Sequence, residues 1–131
     1  MYGVEKIEGL EGENLKKFFA KGINDTDNFL TLSKYKTDRE SLSDSLDIDY
    51  DKILEWAYKA DLMRIKGIAK EYSNFLVYLG IFTVQDLSKQ QVNTLYDKLN
   101  FENEKTKMVR TIPKIQEVEN WVNESKTIER R

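Results

Sequence analysis

Ile65-Lys66-Gly67-Ile68-Ala69-Lys70-Glu71-Tyr72 decides the fold, together with the residues that follow it as far as Gly80-Ile81-Phe82-Thr83-Val84. Gly67 beside Ile68 and close behind Ile65 is the pattern of a tight bend, where a residue without a β-carbon turns the chain. Behind it Tyr72, Phe75, Leu76 and Leu79 recur at helical spacing, so one face of a short helix is apolar. Gly80 then reads as a left-handed helix stop and Thr83 as the cap of another helix. The same order occurs once earlier. Ile7, Gly9 and Leu10 form the bend, Phe18 stands where Leu76 stands later, and Gly22-Ile23 closes the helix. The two copies lie 58 positions apart without a gap.

The rest of the chain also reads as helix, because β-branched alternation is scarce and i, i+3, i+4 apolar spacing recurs. Residues 1–6 read as an irregular turn. A helix over 12–21 is expected to bury Leu15, Phe18 and Phe19. Thr26 is the expected cap of a short helix holding Phe29, Leu30 and Leu32, and Thr37 or Asp38 that of a third, holding Leu42 and Leu46. Asp49 caps a fourth that runs to about residue 60, with Ile48 and Ile53 spaced as a hydrophobic staple and Ile53, Leu54, Trp56, Ala57 and Tyr58 near the core. Further helices are expected over 84–89, over 91–99 with Val92, Leu95 and Leu99 buried, and over 104–110 with Met108 and Val109 inward. Pro113 suits the first turn of a last helix, where Ile115, Val118, Trp121 and Val122 make one stripe. Ile53-Leu54-Glu55-Trp56-Ala57 echoes Val118-Glu119-Asn120-Trp121-Val122 at an offset of 65. The expectation is an all-α, compact bundle of short helices: one domain over residues 1–131, with internal halves at about 1–61 and 62–131.

Composition bounds the function. The 131 residues are 40% apolar and 34% charged, as in a globular protein with a highly charged surface. No apolar run approaches the length of a membrane span, and residues 1–6 lack the basic-then-apolar order of a secretory leader. The expectation is a cytoplasmic protein without a membrane partner. With no cysteine there is neither a disulfide framework nor a thiolate zinc site. Histidine, the commonest general acid–base residue and metal ligand, is absent as well. Charge is uneven: residues 1–58 hold eight basic against thirteen acidic residues, and residues 59–131 hold thirteen against ten. A polyanion site therefore belongs to the second half.

Residues 7–128 resemble a bacterial and archaeal family of uncharacterised domains built from two helix-hairpin-helix halves. The resemblance is carried by Ile7, Gly9, Gly22-Ile23, Trp56, Ala60-Asp61-Leu62-Met63-Arg64-Ile65, Gly67, Tyr72, Gly80-Ile81, Thr83-Val84, Leu87, Pro113 and Trp121. It implies a helix-hairpin-helix or SAM-like bundle and only a suggestion of activity. The chain departs from the pattern where a second glycine is usual, having Glu11 in the first bend and Ala69 in the second.

In DNA-binding hairpins of this kind, backbone N–H groups at a helix N-terminus meet a phosphate, helped by the helix dipole and nearby cations. Glu8, Glu11 and Glu13 surround that position in the first bend, so an anion there would meet like charge. In the second, Lys59, Arg64, Lys66 and Lys70 flank it against Asp61 and Glu71. The candidate nucleic-acid contacts are therefore Arg64, Lys66, Gly67, Ile68, Ala69 and Lys70, with a plain chain turn as the competing reading. If Ala69 needs a positive φ, it costs about 1–2 kcal/mol. Asp47-Ile48-Asp49-Tyr50-Asp51 opens like a calcium loop, but Lys52 and Tyr58 stand where the turn glycine and the bidentate acid belong; acidic residues at a helix start are the simpler reading. Tyr2, Tyr35, Tyr50 and Tyr96 are the expected exposed aromatics, and Lys126 with Arg130-Arg131 a solvated end. No catalytic constellation, metal ligand set or cofactor site emerges. The reading is a non-catalytic module that binds a protein partner in a groove between its halves. The alternative is weak, sequence-nonspecific DNA or RNA backbone binding through residues 64–70.

Overall fold

A computed structural model describes residues 1–129. Among these the chain is all-helical, and none of its helices is long and apolar enough to cross a membrane. A 3-10 turn at Val4–Lys6 precedes eight α-helices: α1 (Gly12–Ala20), α2 (Thr26–Leu32), α3 (Lys36–Leu46), α4 (Tyr50–Leu62), α5 (Lys70–Tyr78), α6 (Val84–Ser88), α7 (Val92–Thr106) and α8 (Ile115–Ser125). Among the described residues, extended pairing is confined to a single bridge between Gly3 and Asp25.

The residues 58 apart make the same backbone bonds. Leu10 N–H donates to Ile7 O and Ile68 N–H to Ile65 O, both at 3.1 Å. Gly9 and Gly67 turn the chain at φ 91° and 90°, a conformation that costs other residues about 1–2 kcal/mol. At the end of α1, Ile23 N–H reaches Phe18 O and Gly22 N–H reaches Phe19 O; at the end of α5, Ile81 reaches Leu76 and Gly80 reaches Val77. Both are Schellman stops, and each seats an isoleucine against the residue whose carbonyl it takes. Asp25 then caps α2 by accepting from Asn28 N–H at 2.8 Å, and Thr83 caps α6 by accepting from Asp86 N–H at 3.0 Å.

Two clusters of buried side chains result. One gathers residues from Val4 to Met63 around Phe18, whose ring lies 5.1 Å from that of Phe29 and 5.7 Å from that of Trp56. The other runs from Leu62 to Val122 around Phe75, Leu76 and Trp121. Each fully buried phenylalanine contributes roughly 1.5–3 kcal/mol. Helices α2 and α3 pack on α4, α6 and α7 pack on α8, and α4 packs on α5. Both tryptophans sit over a bend. A β-carbon at Gly9 would lie 3.4 Å from Trp56 Nε1, and one at Gly67 would lie 3.2 Å from Trp121 Nε1.

Several local expectations are corrected. Asp25, not Thr26, caps α2; Thr26 instead pairs with Tyr2, taking its N–H and giving its own N–H to Tyr2 O. Helix α3 begins at Lys36, so neither Thr37 nor Asp38 is its cap; the Asp38 carboxylate accepts from Tyr35 N–H. Helix α4 extends to Leu62 rather than 60. The two helices expected over 91–99 and 104–110 are one, α7, because no glycine or proline interrupts residues 100–103. Lys107 ends it in the left-handed conformation at φ 55°, leaving Met108 and Val109 outside. Pro113 precedes the cap Lys114 and lies outside α8. Phe19, Leu32 and Ile115 are exposed, each lying off the face its helix buries.

Candidate functional site

The second bend was the sequence's candidate, and two of its four flanking cations, Arg64 and Lys70, prove to be paired within the chain, as is a third, Lys59, which reaches Glu55. Arg64 is nearly buried. Its guanidinium donates to Asp61 Oδ1 at 2.8 Å and to the carbonyl of Glu129. Asp61 Oδ2 in turn accepts from Val84 N–H at 2.8 Å, so this buried carboxylate joins the end of α4 to the start of α6. Lys66 is exposed, but its N–H donates to Glu124 Oε1 of α8 at 3.0 Å. Ile68 is fully buried core. Lys70 lies 3.7 Å from Glu8 of the first bend, with both side chains about half exposed. Of the cations legible in the sequence, Arg64 is therefore neutralised by Asp61, Lys70 is loosely paired with Glu8, and the Lys66 ammonium has no partner among the described residues.

The backbone of this bend remains open. Ala69 adopts φ −116°, so replacing the usual glycine carries no left-handed strain. No side chain caps α5. Among the described residues, the N–H groups of Ala69 and Lys70 have no acceptor. Both residues line an open cleft of about 480 Å³, together with Gly67, Glu71, Tyr72, Arg110 and Thr111. Glu71 is turned aside to accept from Arg110 N–H at 2.7 Å, and Tyr72 donates to Thr111 O at 2.8 Å. Burial raises the Tyr72 pKa, and the nearby carboxylates of Glu117 and Glu71 raise it further.

Sequence reading missed a second site. A groove of about 150 Å³ opens between α2, α4 and the segment that leads into α6, lined by Leu30, Ser33, Lys34, Arg39, Leu54, Ala57, Tyr58, Asp61 and Thr83. At its edge Phe82, 39% exposed, stacks on Tyr58 with ring centroids 4.9 Å apart and planes 21° apart. A signal for it was present. Phe82 stands where the earlier copy has Asn24, an aromatic residue at an exposed position that the other copy leaves polar. Of the four tyrosines expected to be exposed, Tyr35 is, whereas Tyr2, Tyr50 and Tyr96 are half-buried; Tyr78 and Phe101 are exposed as well.

The acidic run divides between two helix ends. Asp47 is the left-handed terminator of α3 at φ 53°, Asp49 precedes α4, and Asp51 lies in its first turn. No group of three or more acidic residues among the described ones is placed to hold a metal ion. Arg130 and Arg131 of the expected solvated end lie outside the described residues.

Comparison with known proteins gives one match. Residues 8–128 fit the model of a domain of unknown function, DUF4332. No curated protein and no solved structure matches the chain.

Proposed function

The chain belongs to the DUF4332 family of domains of unknown function, and from that premise we propose that it is a non-catalytic helical binding module whose partner is a protein. The observation behind this reading is the groove beside the Tyr58–Phe82 stack. It lies between elements from the first 62 residues and the segment entering α6, where a partner touches both parts of the chain at once. Its floor is apolar, and an aromatic pair at its edge is the type of residue enriched at interface cores. The matched backbone bonds 58 residues apart support reading the chain as two helix-hairpin-helix-like halves in one domain. Affinity capture from a lysate tests the reading. A partner should be held by the wild-type chain and by Lys66→Glu/Lys70→Glu, and lost with Leu54→Glu. Capture that ignores Leu54→Glu would sink the groove.

A second reading has an observation of its own: Ala69 and Lys70, whose N–H groups have no acceptor among the described residues, line an open cleft shared with Arg110. These could hold one phosphate of a nucleic-acid backbone. With Arg64 engaged and Lys70 beside Glu8, such a site neutralises few phosphates, so binding would be weak and would fall steeply with salt. Fluorescence anisotropy with single- and double-stranded DNA and RNA at 50 and 200 mM salt decides it. Salt-sensitive binding abolished by Lys66→Glu/Lys70→Glu, with the melting temperature unchanged, supports it. Binding that survives that pair of substitutions excludes residues 64–70.

A further inference from the structure

The groove has a charged end as well as an apolar floor, and that end is built. Arg39 reaches back from α3 over the end of α2. Its Nη1 donates to Ser33 O at 3.0 Å and to Lys34 O at 3.2 Å, while Nε donates to the Tyr50 hydroxyl at 3.1 Å. Three bonds to three different residues fix the guanidinium plane. Nη2 has no acceptor among the described residues, and none of their ion pairs involves Arg39. Lys34, also lining the groove, is exposed and adds a second positive charge. The one acid in the lining, Asp61, has one carboxylate oxygen on Arg64 and the other on Val84 N–H, so it presents little negative charge to the groove. The apolar part of the lining is Leu30, Leu54, Ala57 and Tyr58.

Resting on the protein-binding reading, we propose that the groove recognises a linear peptide in which an aspartate or glutamate neighbours one leucine- or phenylalanine-sized side chain. The volume of about 150 Å³ is that of a cavity able to admit a benzene-sized group. The apolar side chain enters between Leu54, Ala57 and Tyr58. The carboxylate meets a guanidinium already held in place, so less of its freedom is lost on binding than at a mobile lysine. Both requirements act together. The apolar slot alone would accept any greasy segment, and the carboxylate contact alone would be screened by salt.

The test uses the intact chain and a phage-displayed library of random twelve-residue peptides. Peptides recovered on the wild-type chain are then measured individually against Arg39→Gln, Lys34→Glu and Leu54→Glu. The proposal expects recovered peptides to pair an acid with leucine or phenylalanine within two positions. It expects their binding to weaken about tenfold or more on Arg39→Gln and to weaken on Lys34→Glu, a substitution at an exposed site that leaves the fold intact. Apolar peptides without acids, indifferent to Arg39→Gln and Lys34→Glu but lost with Leu54→Glu, would overturn the carboxylate while leaving the groove standing. Peptides indifferent to Leu54→Glu, or none recovered, would overturn both.

Discussion

The bend at Gly9 and the bend at Gly67 share a backbone and differ in what ties it down. In each, a glycine near φ 90° lies under the indole of a tryptophan from a later helix. The side-chain tie is reversed. In the first bend Lys59, buried in α4, donates to the carbonyl of Glu8 at 3.0 Å. In the second, Glu124 of α8 accepts from the amide of Lys66 at 3.0 Å. Glu8 and Lys66 are the 58-offset pair, and Lys59 and Glu124 are the 65-offset pair, so both members have changed charge together. The glycine and the tryptophan set the shape, and either sign of side chain can pin it, because the peptide unit offers both a donor and an acceptor. The difference also bears on function. The tie at the second bend sets a carboxylate against the Lys66 amide, so an anion approaching that residue meets like charge beside its ammonium.

The largest expected effect tests whether the two regions are one unit. Trp56→Ala and Trp121→Ala should each cost about 3–5 kcal/mol, since each empties a buried aromatic site. Because α4 carries Trp56 and Ala60 in one cluster and Leu62 in the other, the damage should spread. Urea unfolding of Trp121→Ala, followed by Trp56 fluorescence and by helical circular dichroism, should give coincident transitions. Separate midpoints would show that the regions fold independently.

Next in size is the glycine pair. Gly9→Ala should lose about 1–2 kcal/mol from its positive φ alone, because a contact of 3.4 Å to Trp56 is ordinary. Gly67→Ala should lose more, by about 1 kcal/mol, since its β-carbon would sit 3.2 Å from Trp121 and push it. Equal losses in denaturant melts would mean that the indole of Trp121 gives way without cost. Smaller again are the ties. Lys59→Met leaves a bend carbonyl without its buried donor and should cost about 1–2 kcal/mol. Glu124→Ala exposes the Lys66 amide to water and should cost less than about 1 kcal/mol. The reverse order would contradict the burial difference between the two sites.

How much of this was legible follows from which interactions are local. The bends, both Schellman stops and the Thr83 cap rest on residues within a few positions of one another, and the sequence shows them. The offset of 58 even selects Asp25 as the partner of Thr83, and aspartate is also the stronger cap than Thr26 by residue type. The run from Val92 to Thr106 read as two helices because its apolar residues thin out after Leu99; the helix nonetheless continues, since nothing in residues 100–103 breaks it. The state of Arg64 was illegible for another reason. A cation beside a glycine bend looks free until Asp61 and the carbonyl of Glu129 are placed against it. Arg39 is the same case, since Ser33, Lys34 and Tyr50 meet it only once α2, α3 and α4 have packed.

The smallest effect at neutral pH is also the one that separates the two regions most cleanly. Tyr72, in the first turn of α5, has Asn14 as its counterpart in α1, so only the second region carries a phenol at this place. Its ring packs on Trp121 at 5.2 Å, and its hydroxyl donates to Thr111 O. Burial, with Glu117 and Glu71 nearby, raises its pKa above the ordinary value of 10.0. The folded state therefore holds this proton more tightly than the unfolded chain does. That contribution is fully present below pH 10 and is lost as the pH rises through the folded value. Other tyrosines and lysines titrate in the same range, so the informative quantity is a difference. The stability of the wild type minus that of Tyr72→Phe should be flat from pH 7 to 9 and should fall from about pH 10 upward. Hydrogen exchange near that pH should show amides of α5 and α8 opening before those of α1 and α4. A difference that stays flat to pH 11 would mean that the phenol ionises in place, without disturbing Trp121 or the bend beneath it.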